Sequence, residues 1–338
     1  ECKADIAEEV ARIYGYNNIP KTIIRGVADA KLTEKQKLER KIANAMTALG
    51  AYEITTYSFI SPKYFDRIRL SENSPLRKTV VISNPLGEDT SVMRTTLLPS
   101  MCEVMARNYN SRNAAVCLFE LGSEYIPNGG ELPDEPVRLS VGAYGGDMDF
   151  YGIKGIVDSM LKNIGVEDFE YAACTDPAVF AEAEAFHPGR CAVITKDGKA
   201  IGIVGELHPE TLENYGIGVK AYAAKMNVTE LLDIANAVKT YKPLPKFPAA
   251  VRDLAIVCDE NLPVAELEKA IKRAVGNTLE SVTLFDVYKG KQIAEGKKSV
   301  AYSIAMRSHE GTLTDEQSDA AVKRVLKELE KLGAELRA

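Results

Sequence analysis

The side chains from which catalytic or metal sites are ordinarily built are few in this sequence, and their spacing assembles neither. His187 lies in Phe186-His187-Pro188-Gly189-Arg190, His208 in Glu206-Leu207-His208-Pro209, and His309 stands apart. None meets another histidine or a cysteine at metal-ligand spacing. Each His-Pro pair is expected to order a turn and to donate a hydrogen bond. The six cysteines, Cys2, Cys102, Cys117, Cys174, Cys191 and Cys258, form no CxxC pair and no compact disulfide pattern. That distribution fits reduced thiols in a cytosolic protein. Gly129-Gly130 and Gly145-Gly146-Asp147 read as turns, without the flanking pattern of a phosphate-binding loop. An enzyme using a central pocket through His187 and Glu206 is one class of reading these residues leave open.

A different chemistry, recognition of a base by a flat surface, is legible near the C-terminus. Side chains alternate between the two faces of a strand. In 299–307, Val300, Tyr302, Ile304 and Met306 alternate with Ser299, Ala301, Ser303, Ala305 and Arg307. In 251–258, Leu254 and Ile256 alternate with Asp253 and Ala255, and in 281–288 Phe285 and Val287 alternate with Asp286 and Tyr288. With helices over the apolar side, the other face is small and polar, with Tyr288 as its aromatic and Arg307 as its cation. A π-face stacks on a base, and a few hydrogen-bonding groups can read the base edge. The same alternation describes the solvated face of any antiparallel sheet, and on pattern alone that plainer reading stands first.

The elements that must position these residues follow from periodicity and punctuation. Ala4–Tyr14 carries Ile6, Val10, Ile13 and Tyr14 at helical spacing and is ended by Gly15 and Pro20. Thr33-Glu34-Lys35-Gln36 is a capping box opening a helix with Leu38, Ile42, Met46 and Leu49 on one stripe. Tyr52–Phe59 reads as a strand. Between Lys78 and Thr240, strands are predicted at 79–83, 115–121, 137–144, 191–195, 201–206 and 220–227, and helices at 98–109, 150–164 and 229–234. Asp197-Gly198 marks a hairpin turn. Neighbouring strands without strict βαβ alternation predict a largely antiparallel α+β sheet. Lys242-Pro243-Leu244-Pro245-Lys246-Phe247-Pro248 is the strongest boundary. Beyond it come a strand at 251–258, a helix at 264–275, strands at 281–288 and 299–307, a helix from the capping box Thr314-Asp315-Glu316-Gln317 to Leu332, and a short last strand at 334–338. That order, βαββαβ, is ferredoxin-like.

With 338 residues, two domains are expected. The net charge of −6 argues against a chain that coats nucleic acid by bulk charge, so RNA contact would be local or shared with a partner. No apolar run is long enough to span a membrane. Opening at Glu1, directly in helical sequence, predicts a part of a longer protein.

Three stretches, in order, resemble one family. Asp5-Ile6-Ala7-Glu8-Glu9-Val10-Ala11-Arg12-Ile13-Tyr14-Gly15-Tyr16-Asn17-Asn18-Ile19-Pro20 resembles the end of the B5 domain of bacterial phenylalanyl-tRNA synthetase beta subunits. Ser83-Asn84-Pro85-Leu86-Gly87, with Met93-Arg94-Thr95-Thr96-Leu97-Leu98-Pro99-Ser100-Met101 and Phe119-Glu120-Leu121-Gly122, resembles the catalytic-like core of that subunit. Arg252-Asp253-Leu254-Ala255, Phe285-Asp286-Val287-Tyr288-Lys289-Gly290 and Gly311-Thr312-Leu313-Thr314-Asp315 resemble its ferredoxin-fold anticodon-binding domain.

The resemblance implies an α+β chain: the end of a B5-like domain at 1–20, a class II synthetase-like antiparallel module without catalytic motifs at 33–241, and a ferredoxin-like βαββαβ domain at 246–338. It implies a non-catalytic part of a cytoplasmic phenylalanine-tRNA ligase, assembled with a catalytic alpha subunit as (αβ)2 and acting on tRNA-Phe. ATP would be consumed through the alpha subunit, and an N-terminal half with an editing domain would be missing. Adenylate chemistry needs cations on the phosphates and a Gly-rich segment closed by an arginine. Arg94 is present, but no such segment occurs at 221–234.

Asp5, Glu8 and Glu9 match positions that bind magnesium in the family, where carboxylates one helical turn apart share a hard cation. The remaining aspartate of that set would precede Glu1, leaving the site incomplete. Acidic residues in a first helical turn also suit the helix dipole without any ion. The helix at 33–49 resembles the class II interface motif and would meet a partner through Leu38, Ile42 and Leu49, or be buried within its own module. Ala255, Asp286, Tyr288 and Ser299 fall on positions that touch the anticodon. Tyr288 would stack on a base, Asp286 and Ser299 would read its edge, and Ala255 would leave room. Arg252, Lys289 and Arg307 are added here as candidate phosphate contacts. With the resemblance, the RNA-reading face displaces the solvated one as the leading expectation. A structural subunit that no longer touches RNA is the competing reading.

Overall fold

Capping side chains start the helices where the sequence places them. In the computed structural model, which describes residues 2–23, 26, 30–174, 176–236, 238, 240–241, 243–290, 292–308 and 310–337, Thr33 Oγ1 accepts from Gln36 N–H while the Gln36 side chain accepts from Thr33 N–H. Thr314 and Gln317 repeat the arrangement. His309 and Lys242 lie outside the described residues.

The first helix, α1 (Lys3–Tyr14), buries none of its residues. Then follow α2 (Glu34–Ala48), β1 (Tyr52–Glu53), β2 (Phe59–Ile60), α3 (Tyr64–Arg67), β3 (Val92–Met93), α4 (Leu98–Asn110), β4 (Val116–Ser123), β5 (Val137–Tyr144), α5 (Phe150–Ile164), β6 (Glu170–Ala173), β7 (Phe186–Lys196), β8 (Lys199–Leu207), α6 (Pro209–Asn214), β9 (Ala221–Asn227) and α7 (Val228–Ile234). Seven of the strands form one sheet in the order β1-β4-β5-β9-β8-β7-β6. Only the β1–β4 pair is parallel, so the largely antiparallel α+β expectation holds.

Both faces of this sheet are buried, each by its own layer. Leu38, Ile42 and Met46 of α2 join Ile153, Val157 and Leu161 of α5 over Phe119, Val141 and Ala224. Met101 and Met105 of α4 cover Leu118, Ile203 and Ala223 on the other side. A Cβ at Gly142 would come within 2.7 Å of Met101, so the bare backbone there is what lets α4 lie against β5. Leu38 and Ile42 therefore resolve toward burial within their own module, while Leu49 is exposed.

The terminal domain contains β10 (Ala250–Asp259), α8 (Val264–Val275), β11 (Leu279–Tyr288), β12 (Lys297–Met306), α9 (Asp315–Glu330) and β13 (Glu335–Leu336). Its four strands lie in the order β11-β12-β10-β13, with both helices on one face. Leu254, Ile256, Val300, Tyr302, Ile304 and Met306 fill the core beneath them, on the faces that alternation predicts.

Three expectations need correction, and some elements went unexpected. Tyr52–Phe59 is two short strands, because Thr56 between them turns its hydroxyl to donate to Glu120 Oε2 at 2.7 Å. The strand expected at 79–83 reduces to one bridge between Val81 and Val92. Phe285 and Val287 do not enter the core: Phe285 is skipped where the register of β11 on β12 slips, and Val287, although opposite the core residue Val300, lies on the edge strand, so both side chains are exposed. Finally, β6 and α6 have no sequence signal strong enough to have been expected.

Candidate nucleic-acid interface

The slip in β11 decides which residues share the helix-free face of the terminal sheet. Upstream of it, Ser281 and Thr283 lie opposite Ala305 and Ser303; downstream, Asp286 lies opposite Ala301 and Tyr288 opposite Ser299. Across the next strand, Ala301 pairs with Ala255 and Ser299 with Val257. Ala255, Ala301 and Asp286 thus form one cross-strand row, and Val257, Ser299 and Tyr288 the next on the same face. The four positions singled out in the sequence, Ala255, Asp286, Tyr288 and Ser299, are brought together. They differ in access: Asp286 is exposed, Ala255 and Tyr288 are half-buried, and Ser299 is buried.

Part of that burial comes from residues whose role the sequence did not reveal. β13 pairs antiparallel with β10, and Arg337 just beyond it donates its backbone N–H to the Ala255 carbonyl at 2.8 Å. Its guanidinium carbon then lies 5.4 Å from the centre of the Tyr288 ring, within cation–π range. Arg337 Nη2 also donates to Gln292 Oε1 at 2.9 Å. On another side of the ring, a Cβ at Gly290 would stand 2.5 Å from the Tyr288 hydroxyl oxygen, so the chain leaves β11 in contact with the phenol. A cation, an aromatic ring, an exposed carboxylate and a side-chain amide are therefore grouped on one small surface. Such a group can stack a base and hydrogen-bond its edge. A short strand at 334–338 was legible, but nothing local ties Arg337 to Tyr288.

The three cations added for phosphates are each engaged by a carboxylate. Arg252 aligns with Ile304 and so lies on the helix-bearing side, where its guanidinium meets Asp315 at 2.7 Å and Asp319 at 3.5 Å on α9. It does not belong to the candidate face. Arg307 clamps Glu280 through Nε and Nη2 at 2.9 and 3.0 Å and donates to the Phe247 carbonyl, tying the incoming chain to the end of β12. Lys289 pairs with Glu260 at 2.6 Å, both side chains about half exposed. That exposed single contact is weak, whereas the two-pronged Arg307 fork is stronger.

Arg94, the one candidate for gripping a nucleotide in the central module, is consumed internally. Its guanidinium is buried against Glu120 at 3.0 Å and donates to Thr56 Oγ1 at 2.8 Å and the Ser123 carbonyl at 3.0 Å. Farther along the sheet, Lys225 is buried between Glu124, at 2.7 Å, and Glu182. Burial opposes the Lys225 charge, but the two carboxylates outweigh it and hold the pKa above the usual lysine value. Burial pushes the Glu124 carboxyl up despite Lys225. These charges are neutralised in pairs inside the module.

The histidines order turns, with the hydrogen bond opposite in sense to that expected. His187 Nδ1 accepts from Gly189 N–H at 3.0 Å, and His208 Nδ1 caps α6 by accepting from Glu210 N–H at 3.2 Å. Glu206 is held by Arg190.

Asp5, Glu8 and Glu9 are all exposed on α1. The Asp5 carboxylate accepts from Cys2 N–H at 2.7 Å, which holds its pKa below the usual value, and Glu9 pairs with Arg12. Among the described residues no group of three or more His, Cys, Asp or Glu side chains is arranged to hold a metal ion. These residues do not by themselves fit magnesium, and no step is assigned to it. No helix among the described residues is long and apolar enough to cross a membrane.

Comparison with known proteins accords with this layout. Residues 19–228 match the family model described as phenylalanyl tRNA synthetase beta chain CLM domain, and residues 245–337 match the ferredoxin-fold anticodon binding domain. The phenylalanine–tRNA ligase beta subunit of Clostridium tetani is 45% identical over 99% of this chain and 42% of its own length. Those of Clostridium acetobutylicum and Moorella thermoacetica are 44% and 40% identical, over 99% and 98% of this chain and 42% of their own lengths. The chain thus spans about two fifths of the curated relatives it matches. Among solved structures, a pyrrolysyl-tRNA synthetase from Desulfitobacterium hafniense superposes with a TM-score of 0.48 at 16% identity, over 59% of this chain and 68% of that one. That likeness is too slight to carry an argument.

Proposed function

The chain belongs to the phenylalanyl-tRNA synthetase beta chain family, and on that footing we propose that it is the non-catalytic, anticodon-contacting and partner-binding part of a phenylalanine–tRNA ligase. The observation that carries the reading is the grouping of Ala255, Asp286 and Tyr288 on two neighbouring rows of one helix-free sheet face, with Arg337 beside the ring. A base of the tRNA-Phe anticodon stacks on Tyr288, and the Asp286 carboxylate accepts from its edge. Ala255 keeps the floor of the site low. Ser299 is reached only after the groups over it shift, so its part follows docking. Lys289 releases Glu260 to meet a phosphate.

Aminoacylation belongs, on this reading, to a catalytic alpha subunit that uses ATP, in an (αβ)2 assembly in the cytoplasm. Two features support the division of labour. Arg94, Lys225 and Arg138 are each committed to internal carboxylates, which leaves the central module without a free buried cation for phosphates among the described residues. Exposed large apolar side chains occur on β1 and β2, at Tyr52 and Phe59, at Tyr57 between them, and at Val81 and Leu86 in the loop before β3, the kind of side chain that a protein partner covers. Magnesium has no place in this proposal beyond the full-length subunit, where residues outside this chain would have to complete the set begun by Asp5, Glu8 and Glu9.

The test is binding of the chain to a tRNA-Phe anticodon stem-loop, set against an anticodon-swapped loop and against Tyr288→Ala. Binding lost in both controls supports the reader. Equal binding to both loops, or no effect of Tyr288→Ala in the presence of the alpha subunit, would leave the structural-subunit reading in its place.

A further inference from the structure

At the far end of the large sheet, β7 leaves register with β8. Phe186 pairs with Leu207 and Cys191 with Gly205, so five steps along β7 oppose two along β8. The extra residues form the turn at His187-Pro188-Gly189-Arg190, held by the Gly189-to-His187 bond. Strand irregularities of this kind re-aim side chains, often beside binding sites. Here the re-aimed side chain is Arg190, which turns back so that Nη1 donates to both oxygens of the buried Glu206 at 2.9 and 3.0 Å. Nε and Nη2 of Arg190 have no hydrogen-bond partner among the described residues, and the half-exposed side chain borders open space.

That space is a cavity of about 710 Å³, within the range of small-molecule sites. It lies at the junction of the two modules, with Pro263 of the terminal domain in its wall. Its lining divides by chemistry. Arg190 and Lys220 supply positive charge, and Lys220 has no partner among the described residues. Asp149 and Glu206 supply negative charge, and Phe150, Tyr171 and Tyr222 supply aromatic wall. The Tyr222 phenol is pushed up by burial first, then by Glu206 and Asp149, with Arg190 opposing. Cys191 offers no nucleophile, since burial pushes its thiol up to about 12.

We propose that this cavity binds a free zwitterionic amino acid with an apolar side chain, with its carboxylate on Arg190 and Lys220, its ammonium on Glu206 and Asp149, and its side chain against the aromatic wall. Cations alone would accept any anion, and carboxylates alone any amine. Both signs beside an apolar wall favour a ligand that carries both charges and an apolar body. A nucleotide would set its phosphates against Asp149 and Glu206. The site is separate from the helix-free face of the terminal sheet and does not depend on the anticodon reading.

Calorimetric titration of this chain, without an alpha subunit, with L-phenylalanine and L-leucine tests the proposal. N-acetyl-L-phenylalanine and phenylethylamine, each lacking one charge, are the matched controls, and AMP is the competing ligand. Saturable binding of an amino acid is expected, with each single-charge analogue at least about tenfold weaker, the scale of one lost charge-assisted hydrogen bond. Lys220→Ala, an exposed change, and Arg190→Ala should weaken it similarly while circular dichroism stays native. If Arg190→Ala fails to fold, Lys220→Ala and the two analogues decide by themselves. No saturable binding of either amino acid by the folded chain, equal binding of the acetylated analogue, or binding of AMP in place of amino acid would each overturn the proposal.

Discussion

The Arg337 guanidinium stands 5.4 Å from the centre of the Tyr288 ring, so the chain terminus delivers a cation to the aromatic surface that a base would use. The backbone bond from Arg337 N–H to the Ala255 carbonyl sets the height of that cation above the sheet. Because the anchor is backbone, the side chain can be changed without undoing β13.

Arg337→Ala should therefore leave the fold intact and weaken anticodon stem-loop binding by about 0.5–2 kcal/mol, the range of a cation–π contact. Arg337→Lys should recover part of the charge effect but not planar stacking. Fluorescence anisotropy with labelled stem-loop measures both. Unchanged affinity in Arg337→Ala would remove this residue from the interface.

Gly290→Val places carbon atoms where the Tyr288 phenol now lies, since even a Cβ would approach its oxygen to 2.5 Å. The ring must rotate away, and loss of a stacking platform costs about 1–3 kcal/mol of RNA binding. Tyr288→Phe, which shortens the ring by that oxygen, should relieve much of the loss in the double variant.

Arg252→Ala and Arg307→Ala should behave differently from Arg337→Ala. Arg252 faces α9, so its removal leaves RNA affinity unchanged and has little effect on stability. Arg307 joins Glu280 and the Phe247 carbonyl, and its loss should lower stability by about 1–2 kcal/mol. Urea unfolding followed beside anisotropy separates the two effects.

Lys225→Met leaves Glu124 and Glu182 buried without their cation, a change on the order of 3–5 kcal/mol at neutral pH. In the native chain, Glu124 already sits above its ordinary value of 4.5. A carboxyl raised in the folded state binds its proton more tightly there than when unfolded. Its contribution to stability thus declines as pH rises from 4.5 through the folded value. Removing Lys225 raises that value further, so the deficit of the variant should be smallest near pH 4.5 and grow toward neutrality. Lys225 itself, held above 10.5, stabilises below that pH and loses its contribution as pH rises through its folded value. A deficit independent of pH would mean that packing, not charge, is what Lys225 supplies.

Much of this architecture was written in local pattern. Helices at Phe150–Ile164 and Val264–Val275 and the strand at Val137–Tyr144 occur with the bounds that periodicity and stop residues give. The turn at Asp197-Gly198 has both residues at positive φ, as its composition requires. Caps, alternation and breakers act over a few residues, and so most of the long elements and the family were readable from local pattern, while β6, α6 and the break between β1 and β2 were not. Local pattern also placed Asp286 and Tyr288 on the same strand face.

Other features depend on contacts between distant segments. The slip between Leu284 and Asp286 puts Asp286 and Tyr288 in line with Ala301 and Ser299; without it, they would share a face with Val282 and Leu284. Alternation within one strand carries no record of such a slip, because register is set by the partner strand. Likewise, Arg252, Lys289 and Arg307 look alike as basic residues near a sheet. Carboxylates at Asp315 and Glu280 tie Arg252 and Arg307 into the fold and Glu260 meets the exposed Lys289, while Arg337, 49 positions beyond Tyr288, arrives on the ring through pairing of the last strand with β10.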